Sequence, residues 1–265
     1  MYLRSFFGEN GTPHPCAGCA GEDLLPLEVR MAFQPVVSSV DRSIFAYEAL
    51  VRGANGEDAA EVIARVEPHQ LYRFDQTCRV CAIVTAARLG IPTRLSINII
   101  PNAVHNPASC IRMTLAAAAC CNFDPRRLVF ELTESERMRD TAHVVDIVTY
   151  YQQRGFLTAI DDFGAGYAGL GLLADFQPDL VKLDMSLVRG IDTQPARRTI
   201  VAGIASTCTA LGCTMLAEGV ETAAEYRTLR DMGITLFQGY LFARPALEQL
   251  PQIDPALWDA LANGA

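Results

Sequence analysis

Positive charge is what this sequence has least of. Its 22 lysines and arginines face 30 aspartates and glutamates, a formal net charge of −8 at pH 7, and no dense basic block occurs. Pairs such as Arg126-Arg127 and Arg197-Arg198 read as solvated helix or loop residues. Polymeric nucleic acid is held mainly by neutralising phosphates with a basic face, so it is not expected as a substrate. Histidine is also scarce. His14, His69, His105 and His143 are the four, and none ends an apolar run, which argues against a histidine-rich zinc site. The opening MYLRSFFGENG lacks the apolar core of a secretion signal, and a cytoplasmic protein is expected. One charge-free stretch, Thr199 to Ala217, has the length of a membrane span. It contains Gly203 and Gly212 and reads instead as a buried helix running into a buried strand, with Gly212 at the turn.

The nine cysteines are too few for a disulfide scaffold in 265 residues, and reduced thiols are expected. Two CxxC pairs occur, Cys16/Cys19 and Cys78/Cys81. Four thiolates would suit zinc. The second pair, however, shares an apolar helical face with Phe74, where buried cysteine is common core filler. Cys16 and Cys19 lie in a Gly/Pro-rich segment and are the better candidates for a minor metal site or an intermolecular contact.

Residues 1–26 read as an N-terminal tail or linker and 27–265 as one compact domain. There, short apolar runs alternate with longer helical patterns. MAFQPVV (31–37) and IFAYEALV (44–51) predict a hairpin. RLSINI, RLVFEL, FLTAIDD, LVKLD, TMLAEG and TLFQGY predict six more strands, separated by helices near 108–121, 138–154, 196–211 and 222–231. Alternating strands and helices argue for a parallel sheet, and near-continuous apolar strands for one covered on both faces. About eight strands in this length suit an α/β fold of the closed (β/α)8 type. A doubly wound open sheet is the alternative, weakened because no glycine fingerprint follows the first strand.

Polar residues interrupt or end those strands in a repeated way: Glu48, Asn98, Glu131 and Glu134, Asp161 and Asp162, Lys182 and Asp184, Glu218 and Glu221, and Gln238. In a barrel, the carboxyl ends of the strands gather at one mouth. Each residue taken singly reads as well as a helix cap. Recurring over six strands, they predict a cavity whose carboxylates repel one another and lose solvation unless cations neutralise them. An all-oxygen ligand set suits Mg²⁺, Mn²⁺ or Ca²⁺. Adjacent Asp161 and Asp162 can serve two metals, which clamp the oxygens around a phosphorus and activate water, with Lys182 beside them for developing charge. The residues alone thus point to metal-dependent hydrolysis of a phosphate ester. A single-Mg²⁺ enolising or carboxylating barrel would use much of the same equipment. The glycines of DDFGAGYAGL, Gly164 and Gly166 among them, predict a tight loop over the site and do not have phosphate-loop spacing.

Taken together, FQPVV, YEALVRG, LSINI, FELTES, IDDFGAGYAGL, VKLD, LAEGVE and FQGYLFARP resemble the EAL-domain family of bacterial cyclic-di-GMP phosphodiesterases. The resemblance runs from about Leu27 to Leu250. It implies a modified TIM-like barrel with one antiparallel strand and opening of one phosphodiester to give linear pGpG. It also implies two Mg²⁺ or Mn²⁺ ions per site, with Ca²⁺ inhibitory. Carried over by residue, it implies Glu48, Asn98, Glu131 and Asp161 as first-metal ligands, and Asp161 bridging to a second metal beside Asp162. Lys182 is implied at the catalytic water, Glu218 in the metal–water network and Gln238 completing the site. Gln34, Leu50, Arg52, Asp184 and Glu221 are implied at the substrate, and Glu134 anchoring the glycine loop. The loop departs from the family pattern at Ala165, Ala168 and Gly169, a variant similar to EAL domains attached to BLUF photosensors, some of which act by binding partners. The resemblance further implies a homodimer, a possible regulatory protein partner, and a non-catalytic dinucleotide- or protein-binding role as the alternative.

Overall fold

A computed structural model describes residues 28–133, 141–165 and 170–262. Cys16, Cys19, Glu134, Gly166, Ala168 and Gly169 lie outside the described residues. The strands are β1 (Val29–Ser38), β2 (Ser43–Gly53), β3 (Arg94–Ile99), β4 (Leu128–Thr133), β5 (Leu157–Phe163), β6 (Leu180–Leu183), β7 (Thr214–Ala217), β8 (Leu236–Phe237) and β9 (Ala246–Leu247). β2 to β8 are parallel neighbours in chain order. β1 closes the ring. It runs antiparallel to β2 along its whole length and pairs with β8 through Val37 and Ser38. Its other half carries β9, through Ala32 and Phe33. The architecture is therefore a closed eight-stranded barrel with one reversed strand and a short extra strand. The open-sheet alternative is excluded by the β1–β8 pairing.

Helices surround the barrel, among them Leu71–Arg88, Arg112–Cys120, Thr141–Gln153, Pro195–Leu211 and Ala223–Asp231. The expected helix near 108–121 is two, broken at Ile111. Pro195–Leu211 ends at Gly212, in the left-handed region at φ 77°, before β7 begins. This helix is not buried as expected: Val201, Ile204, Ala205 and Cys208 face the core, whereas Ile200 is 51% exposed. Beyond the exposed Arg198 of its first turn, small and hydroxyl side chains let its outer face meet water without charge. No helix among the described residues is long and apolar enough to cross a membrane.

The barrel interior sets up the site. Val36, Ala46, Val129, Ala159, Leu180, Leu216 and Leu236 form one buried apolar cluster, drawn from seven of the eight barrel strands. Side chains two residues apart along a strand share a face. Two positions further toward the mouth come Glu48, Glu131, Asp161, Lys182, Glu218 and Gln238; on the reversed β1 the same step runs backward, from Val36 to Gln34. The apolar cluster is the floor and the polar ring is the next layer. Residues one step away point outward and anchor the strands. Phe130 packs on Tyr151 and Phe156, with ring centroids 4.8 and 5.3 Å apart, and Phe237 on Tyr226 at 4.7 Å. Each such pair contributes about 0.5–1.5 kcal/mol beyond area burial.

Candidate active site

Lys182 stands at the centre of the polar layer, 1% exposed. It is the single lysine of the chain. Its Nζ lies 2.7 Å from Glu218 Oε1, 2.8 Å from Glu131 Oε2, 2.9 Å from Asp161 Oδ1 and 3.6 Å from Glu48 Oε1. Burial opposes its charge, but the carboxylates of Asp161, Glu131, Glu218 and Glu48 outweigh burial and hold the ammonium well above its ordinary range. Burial lifts Glu131 and Glu218 well above the usual carboxylate range. Burial acts on Glu48 as well, but Lys182 and the amides of Gln238 and Asn98 hold it below that range.

The amides fix the glutamates in place. Asn98 Nδ2 donates to Glu48 Oε1 at 3.1 Å and Gln238 Nε2 to Glu48 Oε2 at 2.8 Å. Gln238 also reaches Gln34 Oε1 at 3.3 Å, and Gln34 donates to the Ala243 carbonyl at 3.1 Å. Ser96 Oγ donates to Glu131 Oε1 at 2.5 Å. Sequence reading missed Ser96, although the signal was present: it lies two residues before Asn98 on the same strand, hence on the same face.

The two adjacent aspartates depend on an irregularity. In a regular strand Asp161 and Asp162 would point to opposite faces. The β5–β6 register shifts between Ile160 and Phe163, placing both aspartates opposite Lys182 alone, as in a β-bulge. Asp162 takes φ 55° and donates its N–H to Asp161 Oδ1 at 3.0 Å. Burial, then Asp161 and Asp184, push Asp162 up to about 6. Gly164 follows at φ 101°, where an added Cβ would also meet Leu187 Cδ1 at 2.5 Å.

A cleft of about 310 Å³ opens above this layer. Of the expected substrate residues, Gln34, Leu50, Asp184 and Glu221 line it. Arg52 is not among the lining residues, and its Nη1 donates to the Val51 carbonyl at 2.7 Å. Asp184 also caps a short helix, accepting from Ser186 N–H at 2.9 Å, so the plain capping reading holds there. Glu221 is paired with Arg189. Arg189, Met185 and Tyr240 line the same cleft and were not found by sequence reading. Met185 and Arg189 follow the strand-end Asp184 but fall outside the strand periodicity that carried that reading, whereas Tyr240, two residues beyond Gln238 in TLFQGY, carried the same signal as Ser96.

The residues fit divalent cations. Two groups have carboxylate oxygens within 4.8 Å of one another: Glu48, Glu131 and Asp161, and Asp161, Asp162 and Glu218. They share Asp161. Five carboxylates against one ammonium leave four formal negative charges, the charge of two divalent ions, and oxygen donors suit hard cations. Among the described residues no such group contains cysteine. Cys78 and Cys81 fit the core-filler reading: burial raises both thiols, and Cys81 Sγ donates to the Val29 carbonyl at 3.6 Å; a four-cysteine site would also need Cys16 and Cys19, which lie outside the described residues.

The family description "EAL domain" matches residues 23–245. A standalone versatile EAL protein from Vibrio cholerae O395, in a c-di-GMP-bound form, is 49% identical with a TM-score of 0.85, covering 88% of this chain and 98% of that one. The BlrP1 protein of Klebsiella pneumoniae, in a manganese and cyclic-di-GMP complex at pH 9.0, is 34% identical with a TM-score of 0.80, covering 88% of this chain and 60% of that one. The blue light- and temperature-regulated antirepressor BluF of Escherichia coli is 31% identical over 223 residues, 84% of this chain and 55% of that protein. The cyclic di-GMP phosphodiesterase RocR of Pseudomonas aeruginosa is 32% identical over 163 residues, 62% of this chain and 41% of that protein. The chain thus spans about half the length of these curated relatives. With a matching family description over most of its length and a barrel that superimposes on solved EAL structures, the chain belongs to the EAL domain family.

Proposed function

We propose that this chain hydrolyses one phosphodiester of cyclic-di-GMP to linear 5′-pGpG, using two Mg²⁺ or Mn²⁺ ions. The observation that carries the reading is the pair of carboxylate groups sharing Asp161 around one buried lysine. Glu48, Asn98, Glu131 and Asp161 would hold one cation, and Asp161 and Asp162 the second. Held there, such ions would supply Lewis-acid polarisation of the phosphodiester and acidification of a water. Ca²⁺, with longer and looser coordination, is expected to inhibit.

The chain's own groups do the rest. Glu218, made a stronger base by burial and ionised when cations occupy the site, would accept the proton of the attacking water as the P–O3′ bond breaks, and the leaving 3′ oxygen takes up a proton from solvent. Lys182, 2.7 Å from Glu218 Oε1, orients that water and balances phosphoryl charge. Gln238 and Gln34 fix Glu48 and the near wall. Leu50, Asp184, Glu221 and Arg189 line the cleft where the dinucleotide lies, with Arg52 turning its guanidinium from the Val51 carbonyl to phosphate.

A second reading, non-catalytic binding of the dinucleotide or of a protein, is favoured by the relative whose name describes an antirepressor. One experiment separates the two. Purified protein is incubated with cyclic-di-GMP and Mg²⁺ or Mn²⁺, and the linear dinucleotide is followed by chromatography, with EDTA and Glu48→Ala as controls. Metal-dependent product that disappears in both controls supports the enzyme. Folded protein that binds the dinucleotide under every metal without product supports the binder.

A further inference from the structure

A second cavity, of about 430 Å³, lies away from the cleft and shares no lining residue with it. It is formed between the helix Pro195–Leu211 and the helix Ala223–Asp231, with the 189–194 loop at its edge. Its volume falls within the range of roughly 300–1,000 Å³ typical of small-molecule sites. Two arginines reach it from different elements, Arg198 from the first helix and Arg227 from the second. Arg227 Nη1 is buried and has no hydrogen-bond partner. Neither guanidinium has an ion-pair partner among the described residues, whereas their neighbours Arg189 and Arg230 pair with Glu221 and Asp231.

A buried guanidinium N–H without a partner is costly, and an unexplained one points to a missing water or ion. The two acids of the wall do not supply it. Asp231 is engaged by Arg230 at 3.1 Å, and Asp192 lines the cavity without a salt bridge to either arginine. Hydrogen bonds tie the walls together. Thr222 and Glu225 form a reciprocal cap on the second helix, with bonds of 3.1 and 3.0 Å. The same Glu225 accepts from Gly190 N–H at 2.9 Å, fixing the loop that carries Asp192. Planar guanidinium groups favour phosphate, which two of them can share. The unpaired Asp192 disfavours a bare anion and suits a ligand whose far end carries N–H or O–H donors.

We propose that this cavity binds a nucleoside monophosphate. Its phosphate lies between Arg198 and Arg227, beside the Thr228 hydroxyl, and its base or sugar donors face Asp192. The proposal does not rest on the hydrolytic reading. The test is calorimetric titration of the EDTA-treated full chain with GMP, ribose 5-phosphate and inorganic phosphate, repeated on Arg198→Gln, Arg227→Gln and Glu48→Gln. Circular dichroism verifies folding, and the exposed position of Arg198 keeps that variant informative if Arg227→Gln unfolds. The expected result is one saturable GMP site, weakened at least about tenfold by loss of either arginine, unchanged by Glu48→Gln, and bound more tightly than ribose 5-phosphate or inorganic phosphate. No saturable GMP binding to folded protein would overturn it. So would GMP binding that the arginine variants leave intact, or binding of inorganic phosphate as tightly as GMP.

Discussion

Replacing Lys182 with methionine tests the electrostatic account of the site directly. Methionine fills nearly the same space and removes only the charge. The ammonium touches three carboxylates at 2.7–2.9 Å and a fourth at 3.6 Å while 1% exposed. Its loss leaves buried acids facing one another, and removing one partner of such a buried cluster costs about 3–5 kcal/mol. For a chain of this size, at about 2–4 °C per kcal/mol, the melting temperature falls by roughly 6–20 °C. The pH dependence has a definite sign. Glu131 and Glu218 already sit well above their unfolded range, so the folded state holds protons that the unfolded state has released. Their contribution to stability is therefore present at low pH and lost as pH rises through the folded values. Without Lys182 they move higher still, so the deficit of Lys182→Met is smallest near pH 5 and grows toward pH 8. Mn²⁺ supplies the missing positive charge and narrows the deficit relative to EDTA. Thermal unfolding by circular dichroism, in EDTA and in Mn²⁺ across this range, measures all three effects. A variant melting at or above the parent temperature in EDTA at pH 8 would refute the reasoning.

Three further outcomes follow from other parts of the structure. With Asp162 pushed up to about 6, a cation at this residue displaces a proton below that value. Mn²⁺ affinity is then expected to rise with pH through about 6, with the raised Glu131 and Glu218 extending the rise above it; calorimetry should show that Asp162→Asn makes the rise below about pH 6 shallower. Asp75 and Arg79 form a buried pair at 2.5 Å, and Asp75 Oδ1 accepts from Ile100 N–H at the end of the strand that carries Asn98. Asp75→Ala strands the guanidinium and costs about 3–5 kcal/mol in denaturant titration, while Asp75→Leu/Arg79→Met recovers most of it. Gly219 has φ 64°, and an added Cβ would lie 2.6 Å from Met185 Cβ. Gly219→Ala is expected to cost roughly 1–3 kcal/mol and to lower turnover by displacing neighbouring Glu218. Adding Met185→Ala should restore only the steric part; full restoration would show that the backbone conformation costs nothing.

Much of the molecule was legible in local pattern. Apolar runs of strand length, each ending in a polar residue, are set by the two-residue period of the backbone. That period alone puts Glu48, Glu131, Asp161, Lys182, Glu218 and Gln238 one step above the apolar floor. The hairpin of β1 and β2 was readable for the same reason, and β3 was located to the residue. The last strand was not. TLFQGY reads as six residues, yet β8 is Leu236–Phe237, because the chain turns at Gly239, where a Cβ would collide with the backbone of Val220. That neighbour is 19 positions away, and no local rule names it.

The sequence by itself determined the residue types of the site, their placement at strand ends and the α/β alternation, since these follow from side-chain alternation and from which residues tolerate burial; closure of the barrel came from the β1–β8 pairing. Tertiary structure decided the distances. Ring closure brings Glu131, Asp161 and Glu218 within 3 Å of a single ammonium, and the register shift in β5 turns Asp162 toward Asp161. Packing between distant elements paired Arg189 with Glu221 and left Arg227 Nη1 without a partner. Electrostatic energy depends on separation and on exclusion of water. Neither quantity exists along the chain; both arise when strands far apart in sequence become neighbours around a dry interior.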